Sequence, residues 1–147
     1  MLDREETMNE SRFVPHAALL LRLTLSFFFF AHLVRKFVSV GYAKWYAGFI
    51  RDGYADWMLL YTVGIELAGA VLLLLGIYTR YVCLLALPVL VAVCMHWITR
   101  RGFWFADGGI EFPLAWVMML IVQAMLGDGI WAAPVPALPW EREAAAG

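Results

Sequence analysis

The fold of this chain is decided by residues 57–98, WMLLYTVGIELAGAVLLLLGIYTRYVCLLALPVLVAVCMHWI. Two apolar runs, 57–78 and 81–98, are separated by only a few residues around Arg80. Each run is close to the roughly 17 to 25 residues that a helix needs to cross a bilayer core. A link this short places the two helices side by side and antiparallel. The stretch therefore predicts a transmembrane helical hairpin.

Two further apolar runs, 16–38 and 112–127, flank this hairpin, and the second is short for a membrane span. Inside a bilayer the backbone must satisfy its own hydrogen bonds, so runs of this kind form helices. We therefore predict an all-α fold, a transmembrane four-helix up-down-up-down bundle. The predicted parts are a polar N-terminal tail (1–15), the four-helix domain (16–131) and a Pro-rich polar C-terminal tail (132–147).

The composition supports a multi-pass integral membrane protein whose main partner is the lipid bilayer. The 147 residues are 63% hydrophobic and 16% charged, with a mean hydropathy of +0.74. The 11 basic and 12 acidic residues leave a net charge of -1, so no basic excess favours nucleic-acid binding. Lys and Arg outside the helices divide evenly between the two sides, and the positive-inside rule predicts no orientation.

The least apolar part of the domain is the third link, 102–113, with the sequence GFWFADGGIEFP. Alternating helices place it on the same side of the membrane as the aromatic first link, about 39–56, which is expected to lie along the headgroups. The third link carries Trp104 and Glu111, and Pro113 suits the first turn of a helix. Aromatic and acidic residues at the membrane–water boundary predict that this link covers a pocket.

Ionisable residues inside spanning segments cost about 2.5 to 3.5 kcal/mol and mark a site by default. On the first helix, Arg22, His32 and Lys36 share one polar stripe at about 100° per residue. Glu66 lies about 13 Å below the loop side, at the depth of the segment that ends at His32. A carboxylate this deep needs a partner or a proton, and His32 and Lys36 are the candidates.

The third helix carries His96 and Trp97 near its loop-side end, where His96 is expected beside Glu111 and Lys36. Cys83 and Cys94 are eleven residues apart on this helix, a rise of about 16 Å, so a disulfide between them is excluded. A metal site from Cys94, His96 and Glu111 is a weak signal, because side chains two residues apart on a helix point away from each other.

Three stretches of this sequence resemble the DoxX family of small membrane proteins: LLLRLTLSFFFFAHLVRK, VGIELAGAVLLLLGIYTR and MHWITRRGFWFADGGIEFPL. The resemblance covers about residues 17–131. Leu33 and Ala70 depart from it, since glycines often stand there in the family. The family's recurring polar positions match Arg22, His32, Lys36, Glu66, His96 and Glu111, and its loop pattern matches Gly109, Phe112 and Pro113.

The resemblance implies a four-helix protein of the bacterial inner (cell) membrane that is linked to quinone chemistry, working with a redox protein partner or a larger membrane complex. We expect Glu66 and His32 to handle protons of a bound quinone or quinol. The expected substrate-binding residues are Arg22, Lys36, His96, Glu111, Trp97 and Trp104. The alternatives are a non-catalytic membrane scaffold or assembly factor and, less favoured, a haem carrier with His32 and His96 as axial ligands.

Overall fold

The computed structural model describes residues 2–136 and 138–139, and side chains within these ranges from residue 12 onward. Every regular element in this part of the chain is helical, which confirms the all-α prediction. The α-helices are α1 (Leu2–Val34), α2 (Tyr42–Arg51), α3 (Asp56–Leu75), α4 (Thr79–Arg101) and α5 (Glu111–Leu126). A π-helical turn, Arg35–Ser39, follows α1, and a 3₁₀ turn, Phe105–Asp107, precedes α5.

Three segments of the described chain are long and apolar enough to cross a membrane: Arg12–Ser39, Asp56–Leu75 and Thr79–Arg101. The fourth predicted span corresponds to α5, which is apolar but has only 16 residues. Its 16 residues rise about 24 Å, less than the roughly 30 Å of a bilayer core. The length of α5 therefore agrees with the short fourth run in the sequence.

The long helices pack around a common apolar core. Helix α1 contacts α3 and α5, and α4 contacts the same two helices. Leu25, Phe29, Leu73 and Leu120 are all fully buried at the centre. The outer surface is also apolar and carries exposed side chains such as that of Leu60, which is 71% exposed. An apolar exterior around an apolar core is the arrangement that a bilayer stabilises.

The ends of the chain differ from simple tails where they are described. Helix α1 begins at Leu2, so residues 2–15 of the predicted N-terminal tail continue the first helix. At the other terminus, Ala133 donates a backbone hydrogen bond to Leu75 O (2.9 Å). Residues 137 and 140–147 of the predicted C-terminal tail lie outside the described residues.

Candidate functional site

A buried ion pair joins α1 to α3 at the predicted polar cluster. The Lys36 ammonium donates to both carboxylate oxygens of Glu66 at 2.5 Å, and the two side chains are 11% and 6% exposed. The same ammonium lies 4.7 Å from the centre of the Trp45 ring, within the range of a cation–π interaction. Lys36 was one of the two partners that depth along the helices predicted for Glu66. The positive charge of Lys36 and the negative charge of Glu66 therefore compensate each other inside the bundle.

The backbone that carries Lys36 is not a regular α-helix. Residues Arg35–Ser39 form a π-helical turn, with Val40 N donating to Arg35 O at 2.9 Å. A π-helical turn inserts an extra residue into the helical register and changes the directions of the side chains that follow. The prediction assumed an unbroken 100° step from His32 to Lys36, and this assumption is wrong for the last turn. Single π-helical turns occur frequently at functional sites.

His32 faces a tryptophan that the sequence reasoning did not single out. The His32 ring meets the edge of Trp116 at 4.9 Å between centroids. Trp116 is only 3% exposed, and its indole Nε1 has no hydrogen-bond partner among the described residues. A buried indole N–H usually finds an acceptor. Trp116 therefore presents an unpaired donor beside the imidazole.

The aromatic side chains around this donor form an apolar bed. Phe28 and Phe29 lie 5.5 and 5.1 Å from the Trp116 ring, and Phe112 lies 6.2 Å from it. One signal in the sequence could have identified Trp116. It lies more than one turn inside the start of α5, whereas tryptophans of membrane proteins concentrate at the interfaces.

His96 belongs to a separate polar cluster at the loop-side end of α4. Arg100 donates to His96 Nε2 at 2.5 Å, so the neutral imidazole carries its proton on Nδ1 and donates it to the Tyr54 hydroxyl oxygen at 2.6 Å. Asp52 Oδ2 lies 3.2 Å from Arg100 Nη1 and 3.7 Å from His96 Nε2. The hydrogen bond from Arg100 is the main reason that the pKa of Asp52 lies below its usual value.

These partners of His96 differ from those expected. The described residues show no direct hydrogen bond or ion pair of His96 with Glu111 or Lys36, and the residues that take their place come from the segment between α2 and α3. Both ring nitrogens of His96 are engaged, so axial ligation of haem would require one of these bonds to break. Trp97 contacts the His96 ring at 5.0 Å between centroids.

The conformation of link 102–113 is fixed by hydrogen bonds of its own backbone and of the Glu111 side chain. Glu111 Oε2 accepts from Phe105 N at 3.0 Å, and Glu111 N donates to Phe103 O at 2.9 Å. A Cβ on Gly109 would lie 2.5 Å from Gly102 O, so only glycine fits this crossing of the chain. Trp104 is 66% exposed on the outside of the link. Glu111 thus shapes the link, and Trp104 faces outward from it.

Arg22 lies at the other end of the bundle from Lys36. Fourteen residues separate them along α1 and the π-helical turn that follows it, a rise of about 21 Å. Arg22 is 1% exposed and donates to the carbonyl oxygens of Asp128 (2.8 Å) and Trp131 (3.3 Å), with a longer contact to Ile130 O (3.5 Å). The structure therefore does not bring Arg22 together with His32 and Glu66. It makes Arg22 the anchor of the segment that follows α5.

Comparison with known protein families identifies the DoxX family. A model of the DoxX family matches residues 17–99, more than half of the 147-residue chain, and this range contains Arg22, His32, Lys36, Glu66 and His96. No curated protein and no solved structure matches the chain. Among the described residues, no group of three or more His, Cys, Asp or Glu side chains is placed to hold a metal ion. The chain belongs to the DoxX family of membrane proteins.

Proposed function

We propose that the protein is a membrane subunit that binds a quinone or quinol near the side of link 102–113, beside the contact of His32 with Trp116. One observation carries the proposal: a buried indole N–H that has no acceptor among the described residues lies beside an imidazole ring. A quinone oxygen would satisfy this donor, because buried polar groups are stabilised when they are hydrogen-bonded. The ring and tail of a quinone are apolar and suit the bed of Phe28, Phe29 and Phe112.

Proton handling follows from the residues nearest to this donor. A bound quinone supplies the two-electron redox chemistry, and each reduction also requires protons. His32 has no hydrogen-bond partner in the described part of the chain and is free to hold or release a proton at a ring nitrogen. The Lys36–Glu66 pair lies one turn further along α1 and supports this end of the bundle electrostatically. Glu66 can exchange a proton only when Lys36 releases it.

The proposed architecture is the four-helix up-down-up-down bundle, in which α5 completes the membrane domain despite its shorter length. The proposed location is the bacterial cell membrane, as in the family resemblance. We assign electron delivery to a redox protein partner in the same membrane, because the residues of the proposed site offer hydrogen bonds and protons rather than electrons. The physiological reaction of the complex is then oxidation or reduction of the quinone pool.

The test is co-extraction of quinone. The full chain is purified from its membrane in a mild detergent, and bound quinone is measured by mass spectrometry per mole of protein. Trp116→Phe should lower the bound quinone about tenfold, since the buried indole donor is lost while an aromatic ring remains. Trp57→Phe is the matched control, because Trp57 is 67% exposed on α3 and should retain the wild-type amount. Absence of quinone from the wild-type protein would overturn the proposal.

A second candidate function, a scaffold or assembly factor of a redox complex, is favoured by a different observation. Lys36 occupies both oxygens of Glu66, as expected for a structural link between α1 and α3. A scaffold predicts that His32→Phe leaves complex assembly and quinone-linked activity unchanged at normal abundance. The quinone site predicts loss of activity at normal abundance, so activity per assembled complex separates the two.

A further inference from the structure

A cavity of about 330 Å³ lies at the Arg22 end of the bundle, away from the proposed quinone site. Its walls come from the turn between α3 and α4, from the end of α5 and from the segment that follows α5, and they include Thr79, Arg80, Leu126 and Asp128. Helix α3 ends at Leu75 and α4 begins at Thr79, so the cavity lies where two membrane-spanning segments end. In a bilayer this is the level of the lipid headgroups.

The cavity wall carries one charge of each sign. Arg80 is exposed, and its side chain has no hydrogen bond or ion pair among the described residues; its Nε lies against Gly127, 3.1 Å from where a Cβ would be. Asp128 lies on the same wall and accepts from Thr79 N through Oδ1 at 3.1 Å. A ligand that fills the cavity therefore meets a cation and a carboxylate together. This pairing suits a zwitterion better than a simple anion.

A second observation points to a ligand at the same wall. The hydroxyl of Thr79 is buried, with 0% exposure of the residue, and has no partner among the described residues. Thr79 is also the first residue of α4, and the Asp128 carboxylate already accepts from its backbone N–H. A phosphate oxygen near Thr79 and Arg80 would meet a hydroxyl donor and a guanidinium.

The lipid-facing surface continues from this cavity along α4. Leu84 lies one turn from Arg80 on the same helix face and is 53% exposed. Leu126 and Val135 contribute apolar side chains to the cavity wall. An acyl chain attached to a headgroup in the cavity would therefore run over apolar side chains, which a free phosphate compound could not use.

We propose that this cavity binds the zwitterionic headgroup of a phospholipid, with the phosphate at Arg80 and Thr79 and the ammonium at Asp128. The class of lipid is one that carries a primary ammonium, as phosphatidylethanolamine does. The ligand is distinguished from anionic lipids by the carboxylate of Asp128 and from soluble phosphates by the apolar surface along Leu84. This site is separate from the quinone site, and a test that overturns one proposal leaves the other unaffected.

The experiment titrates the lipid-depleted full-length protein in detergent with defined lipids and measures bound lipid by native mass spectrometry. Phosphatidylethanolamine should bind about tenfold more tightly than phosphatidylglycerol, which lacks the ammonium. Arg80→Gln should weaken phosphatidylethanolamine binding about tenfold, and Thr79→Val should weaken it a few-fold. Asp128→Asn keeps an acceptor for Thr79 N and should remove most of the preference between the two lipids.

Arg101→Gln is the matched control, because Arg101 is an exposed cation at the opposite end of α4 and should leave binding unchanged. The comparison of lipids on the unaltered protein does not depend on the folding of any variant. Equal affinity for the two lipids overturns the proposal, as does equal loss in Arg80→Gln and Arg101→Gln. Competition by inorganic phosphate or phosphoethanolamine at the affinity of the lipid would identify a soluble ligand and also overturn it.

Discussion

The membrane-spanning segment Arg12–Ser39 buries two cations, Lys36 and Arg22, and their charges are compensated in different ways. Lys36 binds the carboxylate of Glu66 on α3, so opposite formal charges meet inside the bundle. Arg22 binds backbone carbonyl oxygens of the segment after α5, including those of Asp128 and Trp131. A lysine acts as a compact point charge, whereas an arginine offers a rigid fork of donors that can hold several acceptors. The single carboxylate therefore suits Lys36, and the group of carbonyl oxygens suits Arg22.

This difference separates a candidate site from a structural anchor. The Lys36 end has a π-helical turn, an imidazole and an indole N–H that is unpaired within the described part of the chain, which are features associated with ligand binding. At the Arg22 end the guanidinium instead fixes a chain segment 106 to 109 residues further along the sequence. A buried charge in a membrane helix is therefore not by itself evidence of a binding site. Its partners decide the role.

The largest expected effect comes from breaking the ion pair. Glu66→Gln leaves the Lys36 ammonium buried without a carboxylate, and breaking a buried pair from one side costs about 3–5 kcal/mol. The measurement is the free energy of unfolding in mixed micelles. The double variant Lys36→Met/Glu66→Leu removes both charges and should recover most of the loss. A double variant as unstable as Glu66→Gln would contradict charge compensation as the role of the pair.

A smaller effect is expected at the anchor. Arg22→Lys keeps the charge but replaces the fork with one ammonium, so at least one carbonyl loses its charged donor, at a cost of about 1.5–3 kcal/mol. Arg35→Lys is the control, because Arg35 is exposed and on the same stretch of chain; its unfolding free energy should not change. If both variants had equal stability, the carbonyl bonds of Arg22 would not fasten the segment after α5.

The smallest expected effect is the difference in stability between alanine variants of two glycines that both have positive φ. Gly76 (φ +71°) lies at the anchor, where a Cβ would overlap the Arg22 guanidinium and lie 2.8 Å from Ala132 Cβ. Gly53 (φ +86°) lies on the loop side with nothing within 4 Å of an added Cβ. Alanine at either position is strained by the positive φ. The unfolding free energy of Gly76→Ala should therefore fall below that of Gly53→Ala by about 1–3 kcal/mol, the cost of overpacking.

The sequence predicted how deep each polar residue lies in the membrane. It predicted only some of the contacts that these residues make with neighbouring helices and links. Depth follows from a helical rise of about 1.5 Å per residue, which is why Lys36 could be proposed as the partner of Glu66. Rotation about the helix axis is more sensitive, since one π-helical turn shifts every later side chain. His96 illustrates the limit, because its partners Tyr54 and Asp52 come from a link whose path no periodicity describes.

By itself the sequence determined an all-helical membrane protein of the DoxX family, with polar residues at particular depths. The physical reason is local: long apolar runs in lipid must satisfy their own backbone hydrogen bonds, and a helix is the simplest way to do so. Only the tertiary structure decided that Arg22 anchors the segment after α5 and that Trp116 faces His32. These contacts join residues far apart in sequence, and they depend on how the helices pack rather than on any local pattern.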